Sequence, residues 1–313
     1  MRISAPMQRA KELGTESLPK LAFLGLGAIG RPMAARLAAR YPLTVWNRTT
    51  VRATEFGALV PCRVAPTAAT AVADADVVMV CLSTSADVDQ LLNGPEGIAR
   101  SLRPGTLFLD CTSGDSATSR RLGAQLEALG VTFADCPVSG GTNGAEAGIL
   151  TVMVGGSVEA FDRAKPYLEA FGKLIVHMGT VGAGDTIKAI NQALLAANIL
   201  SLGEALTTMV KAGVPARAGL EVLNASSGRS FVSETLIPAR VLPGTWPKTF
   251  RLALLDKDVG IALDLARQTG LEVPMLTHIR AHTELALKAL GPDADYLEPI
   301  RLCEQRAGVE VRG

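Results

Sequence analysis

Lys188, Asn191 and Gln192 stand at i, i+3 and i+4, a spacing that gathers an ammonium group and two amides on one face of a helix. Such a trio suits carbonyl chemistry. When hydride adds to a carbonyl carbon, negative charge grows on the oxygen, and a protonated lysine stabilises that charge and supplies the proton, an effect worth about 10² to 10⁴ in rate. A lysine in the first turns of a helix sits at the unfavourable end of the helix dipole, which makes a purely stabilising role less natural. A solvated surface lysine is the competing reading of this helix alone.

A place to hold a small anion lies upstream. Ser139, Gly140 and Gly141 follow a short β-rich run, and glycine allows the backbone angles and close approach that let amide N–H groups surround a carboxylate. A plain connector is the alternative for this loop. A second glycine-rich stretch, Gly25, Leu26, Gly27, Ala28, Ile29 and Gly30, closes one predicted strand and opens a predicted helix. In that setting Gly25 permits a tight turn, Gly27 leaves room for a pyrophosphate and Gly30 lets the helix pack closely, with phosphate charge on free helix N–H groups. A glycine turn that binds no nucleotide is the competing reading.

The next predicted strand ends at Trp46, where an NAD-binding fold would place an acid on the ribose hydroxyls. Asn47, Arg48 and Thr49 follow instead. Arg48 can make charge-assisted bonds to a 2′-phosphate and Thr49 can donate another, so NADP(H) is the preferred cofactor, with NAD(H) as the alternative. An Arg48 left in solvent or stacked on adenine stays open. Leu82 ends a predicted strand as a further cofactor-binding candidate, and Ser83 and Ser113 follow strand ends and face the same crevice, towards the ribose and nicotinamide.

These residues need a frame to converge. β-rich runs at 21–25, 43–46, 77–82, 106–110, 132–134, 151–154 and 174–177 alternate with helix-length segments, which implies right-handed βαβ units and a largely parallel, doubly wound sheet. After Gly184 the β-rich runs stop. Asp185 reads as the cap of a long helix ending near Ala212, where Gly213 and Pro215 break it, and further helices fit 215–224, 252–268 and 274–290. The expected fold class is α/β: an NADP-binding Rossmann-type domain over 19–182, then an all-helical substrate and oligomerisation domain over 183–313 led by a long interdomain helix. Residues 1–18 read as a flexible leader, because they lack the apolar core of a signal peptide.

Composition narrows the function classes. With 313 residues, two domains are the natural division, and a net charge of +1 exerts no long-range pull towards nucleic acid or an anionic membrane. Apolar stretches read as broken well before the roughly 20 residues that cross a bilayer. Five widely spaced cysteines argue against a disulfide framework and for a cytoplasmic location. His278 and His282 have helical metal-binding spacing, but Ile279 stands where a zinc hydrolase needs Glu and no third ligand is evident, so no metal is expected.

The runs 25–33 (GLGAIGRPM), 135–156 (DCPVSGGTNGAEAGILTVMVGG), 182–192 (GAGDTIKAINQ) and 250–258 (FRLALLDKD) resemble, in order and spacing, the four signature segments of the β-hydroxyacid dehydrogenase family. The similarity extends over about residues 20–305. It implies an NAD(P)-dependent oxidoreductase that interconverts a short hydroxy acid and its semialdehyde or oxo acid, such as glyoxylate, succinic semialdehyde or tartronate semialdehyde. It also implies Lys188 as the acid/base, Ser139 and Gly140 on the substrate carboxylate, Ser113 on the cofactor, Lys257 over the cofactor, and Phe250 and Asp258 lining the site from the helical domain. A homodimer or homotetramer with packed long helices is implied as well. Gln192 stands where several members carry a substrate-binding Asn, and the longer amide shortens the pocket, as in the tartronate semialdehyde enzymes. Asn47-Arg48-Thr49 instead resembles the NADPH-using glyoxylate and succinic semialdehyde reductases, so substrate identity stays open. The alternatives are an NAD-dependent 3-hydroxyisobutyrate-type dehydrogenase and, in another class, a non-catalytic dinucleotide-binding protein.

Overall fold

Strands β1 (Leu21–Leu24) and β4 (Val77–Val80) are buried at every position. Their unbroken apolar runs suit a sheet covered on both faces, where no side of a strand meets water. The computed structural model describes residues 18–313, so all of the expected leader but Leu18 lies outside the described residues. The remaining strands are β2 (Leu43–Trp46), β3 (Arg63–Val64), β5 (Leu107–Asp110), β6 (Thr132–Asp135), β7 (Val138–Ser139), β8 (Leu150–Gly155) and β9 (Gly172–Gly179). They run in the order β3-β2-β1-β4-β5-β6-β8-β7, with β9 on β8.

The first six pair in parallel, while β8 runs antiparallel to β6 and β7. Strand order reverses between β1 and β4, and the crevice at their carboxyl ends is where such sheets bind ligands. Strands β3 and β7 have two residues each, too few to show a periodicity, so the sequence reading missed them and took Ser139 for a loop residue.

Helices α1 (Gly30–Ala38), α2 (Thr50–Leu59), α3 (Ala68–Val72), α4 (Ser85–Asn93), α5 (Ser116–Glu127), α6 (Gly141–Ala147) and α7 (Val158–Leu168) cover the two faces. Phe23, Met79 and Leu109 pack with Met33 and Leu37 of α1 on one side. Val78, Val80 and Phe108 pack with Leu122 and Leu126 of α5 on the other.

Helix α8 (Ala183–Lys211) then runs for 29 residues and is joined by α9 (Ala216–Asn224), a π-helical segment Val232–Val241, α10 (Leu252–Gln268), α11 (Pro274–Leu290) and α12 (Pro299–Ala307). The four helices expected here are present to within about three residues. The π-helical segment, with Pro238 inside it, and α12 were not among the helices expected. Pro299 opens α12 at a position whose N–H has no helical partner anyway.

Two expectations about α8 are corrected. Its cap residue is Gly182, with φ +90°, and Asp185 lies inside the first turn. The free N–H groups of that turn are met by Asp135 at the end of β6, whose carboxyl oxygens accept from Gly182 at 2.6 Å and Asp185 at 2.9 Å. The helix is also long and apolar enough to cross a membrane, with mean hydropathy 1.5. Yet α10, α11 and α12 pack on it, and it carries buried Asp185, Lys188 and Gln192.

Candidate active site

The turn after β1 is shaped by its glycines. Gly25 has φ +103°, and side-chain carbons at Gly25 and Gly30 would strike the carbonyl oxygens of Cys81 and Gly25. Around Gly27 no atom lies within 4 Å of where a Cβ would be, so this edge of the turn is open to a phosphate. Asn47, at the end of β2, braces the turn: its Oδ1 accepts from the Leu26 N–H at 2.8 Å and its Nδ2 donates to the Thr49 carbonyl at 3.0 Å. The amide is therefore already committed to the backbone. Arg48 stays 81% exposed and reaches Asp87 of α4 at 3.4 Å. Thr49 caps α2 without using its hydroxyl on the helix, which leaves that hydroxyl beside a helix N-terminus.

On the β6 and β8 side of the sheet, α8 brings up Lys188. The residue is only 7% exposed, and its ammonium donates to Gln192 Oε1 at 3.1 Å. Both ends of the Gln192 amide are engaged, since Oε1 also accepts from Asn191 at 3.2 Å and Nε2 donates one N–H to Asp258 Oδ2 at 3.0 Å. The amide expected to touch substrate thus sits between Lys188 and a carboxylate. Burial lowers the Lys188 pKa to about 8, with Asp258 pulling it up and Lys257 pushing it down.

Lys257 and Asp258 sit on α10 and are paired at 3.0 Å. The same Lys257 ammonium donates to the carbonyls of Ser113 at 2.5 Å and Ser83 at 3.3 Å, so α10 is tied to the two loops that follow β4 and β5. Leu82 joins this wall through its N–H, which donates to Thr112 Oγ1 at 3.0 Å. Ser139, half-buried, ends β7, and Gly140 (φ +133°) and Gly141 (φ +65°) turn the chain into α6. Open space borders Gly141. Phe250 lies apart from the hydrogen-bonded chain, edge-on to Tyr296 at 5.5 Å in the helical core.

Sequence reasoning gave Asp135 no role and Asp185 only that of a helix cap, although both lie within the motif runs. The signal available was a charged residue in an otherwise apolar setting, at the end of a strand and the start of a helix. Elsewhere, a cavity of about 470 Å³ opens at the amino ends of β4 and β5 beside Arg103 and Arg163. Both arginines are already bonded to protein groups there, and the cavity lies at the end of the sheet opposite Lys188.

Residues 20–179 match the NAD binding domain of 6-phosphogluconate dehydrogenase, and residues 182–303 match the NAD-binding domain of NADP-dependent 3-hydroxyisobutyrate dehydrogenase. The chain belongs to the β-hydroxyacid dehydrogenase family. It is 33% identical over 299 residues to the 2-(hydroxymethyl)glutarate dehydrogenase of Eubacterium barkeri, covering 94% of this chain and 98% of that one. A probable mitochondrial 3-hydroxyisobutyrate dehydrogenase of Dictyostelium discoideum is 37% identical over 285 residues, with 88% and 87% covered. The Mycobacterium tuberculosis 3-hydroxyisobutyrate dehydrogenase with L-serine superposes with a TM-score of 0.84 at 31% identity, covering 91% of this chain and 99% of its own. As a β-hydroxyacid dehydrogenase, the protein is an NAD(P)-dependent oxidoreductase with a small-molecule substrate.

Proposed function

We propose that this dehydrogenase interconverts a short 3-hydroxy acid bearing a primary alcohol and the corresponding semialdehyde, with NADP(H) preferred and Lys188 as the proton donor and acceptor. The observation that carries the reading is the buried Lys188 ammonium, aimed by Gln192 and poised at about pH 8. 3-Hydroxyisobutyrate, L-serine and 2-(hydroxymethyl)glutarate share a hydroxymethyl group next to the carbon that carries a carboxylate. Those compounds belong to the relatives, and their common feature defines the class proposed here.

When bound, the nicotinamide supplies or takes the hydride. Lys188 holds its proton at the carbonyl oxygen during reduction and becomes the neutral amine as the alcohol forms; in oxidation the neutral amine takes the alcohol proton. Gln192 fixes the ammonium on one side, leaving its other N–H bonds for the oxygen. Ser139 and the amides of Gly140 and Gly141 receive the carboxylate, and Asn191 borders it from α8. Ser83, Ser113 and Lys257 form the wall against the cofactor, and Asp258 anchors the Gln192 amide.

The absence of an acid after β2, together with Arg48 and the free Thr49 hydroxyl at the start of α2, supports a 2′-phosphate pocket. The Arg48–Asp87 contact supports the second reading, an NAD-preferring enzyme, because Asp87 already neutralises part of that cation. The exposed apolar side of α8, with Leu194 57% exposed, supports pairing with a second copy, and five free thiols support a cytoplasmic location.

The test is NADPH oxidation measured against methylmalonate semialdehyde, tartronate semialdehyde, succinic semialdehyde and glyoxylate, with NADH in parallel. The class predicts the highest kcat/KM for one of the first two. A clear preference for glyoxylate would remove the 3-hydroxy acid assignment, and a higher kcat/KM with NADH would remove the NADP(H) preference.

A further inference from the structure

Two carboxyl groups lie buried between the sheet and the first turn of α8. Asp135 is wholly buried and Asp185 1% exposed. Asp135 at the end of β6 grips two N–H groups of that turn, those of Gly182 and Asp185. Asp185 reaches the other way: Oδ1 accepts from the Gly114 N–H at 3.0 Å and Oδ2 from the Ser119 hydroxyl at 2.6 Å. Gly114 follows Ser113, whose carbonyl is held by Lys257.

The chain makes room for this arrangement. A side-chain carbon at Gly155 would collide with the Asp135 carboxyl, and one at Gly184 would come within 2.8 Å of its Oδ2. Two glycines, one on β8 and one in α8, thus enclose a single carboxyl group.

We infer that Asp135 and Asp185 are positioning residues for proton transfer, a two-carboxyl clamp that sets where Lys188 stands relative to the loop after β5. Lys188 follows Asp185 by three residues, one helical turn, so any slide or rotation of the first turn moves the ammonium with it. The loop held by Asp185 is the one that faces the nicotinamide in the function proposed above, and the inference rests on that reading of Lys188. A displacement of about 1 Å between reacting groups can lower turnover about a hundredfold. Neither aspartate touches the reacting atoms. Burial and the neighbouring Asp135 and Asp110 push the Asp185 carboxyl well above the usual range. Asparagine is a close substitute by shape: its Oδ1 keeps the Gly114 N–H, and its Nδ2 can donate to the Ser119 hydroxyl oxygen once that hydroxyl turns.

The experiment compares Asp185→Ala, Asp185→Asn and Ser119→Ala in the full chain, with Lys188→Ala as the reference. Asp185→Ala is expected to lower kcat about tenfold to a hundredfold while the KM for NADPH changes less than threefold, and Asp185→Asn to recover kcat to within about threefold of the parent. An Asp185→Ala protein with unchanged kcat overturns the clamp, and so does an Asp185→Asn protein as slow as the alanine variant. If Asp185→Ala does not fold, Ser119→Ala decides. It removes one anchor of the carboxyl, and a kcat lowered about threefold at constant KM supports the clamp, whereas an unchanged kcat overturns it. Normal turnover in Lys188→Ala would instead remove the proton donor itself, which separates failure of the clamp from failure of the function on which it rests.

Discussion

Arg48 and Lys188 are two cations on opposite sides of the sheet's reversal point, and their surroundings could hardly differ more. Arg48 follows β2 with its side chain 81% exposed and one long contact to Asp87. Lys188, on the helix beside β6 and β8, is 7% exposed and held by an amide that is itself held by Asp258. A charge in water is screened, so its partners alter affinity by modest amounts and can be exchanged singly. A buried charge has its proton affinity set by everything around it, and its neighbours cannot be changed without changing its chemistry.

Loss of the buried cation should have the largest effect. Lys188→Ala is expected to lower kcat about a hundredfold or more while NADPH binding, read by fluorescence titration, stays near normal. Next in size comes the exposed cation. Arg48→Asp should reverse cofactor preference, moving the ratio of kcat/KM for NADPH over NADH down about tenfold to a hundredfold, and a variant that still favours NADPH removes the 2′-phosphate contact.

The contrast sharpens with pH. Reduction needs protonated Lys188, so its rate should be flat at low pH and fall as pH rises through about 8, while oxidation should rise over the same interval. Asp258 raises the Lys188 pKa, so Asp258→Asn should move that alkaline limb to lower pH and reduce turnover severalfold at pH 8. An unmoved limb would show that Asp258 does not set the charge on Lys188. The smallest effect belongs to Asp87→Asn, which releases Arg48 and should lower the KM for NADPH about twofold at low salt, with no change for NADH.

What could be read in the sequence were features whose causes are local. Gly25, Gly27 and Gly30 declare a turn by their spacing, and Lys188 with Gln192 declares a helix face, so the dinucleotide turn and the lysine stood out before any fold was known. Long-range partners could not be read that way. Nothing near Gln192 foretells that its amide nitrogen donates to Asp258, 66 residues away. Asp185 passed as a cap because aspartate at a helix start usually is one. The true partner of the turn comes from 47 to 50 residues upstream. Phe250, given to the site by resemblance alone, has its ring edge-on to Tyr296, 46 residues further along the chain.

That long-range cap bears on how such chains can be recombined. The sheet region and the helical region look like interchangeable modules joined near Gly182, but the first turn of the second is completed by a side chain that belongs to the first. A hybrid that joins this helical half to another sheet half inherits α8 without its cap unless an aspartate also ends the sixth strand and glycines stand opposite its carboxyl. The seam between the two halves is one residue in the chain and three segments in space.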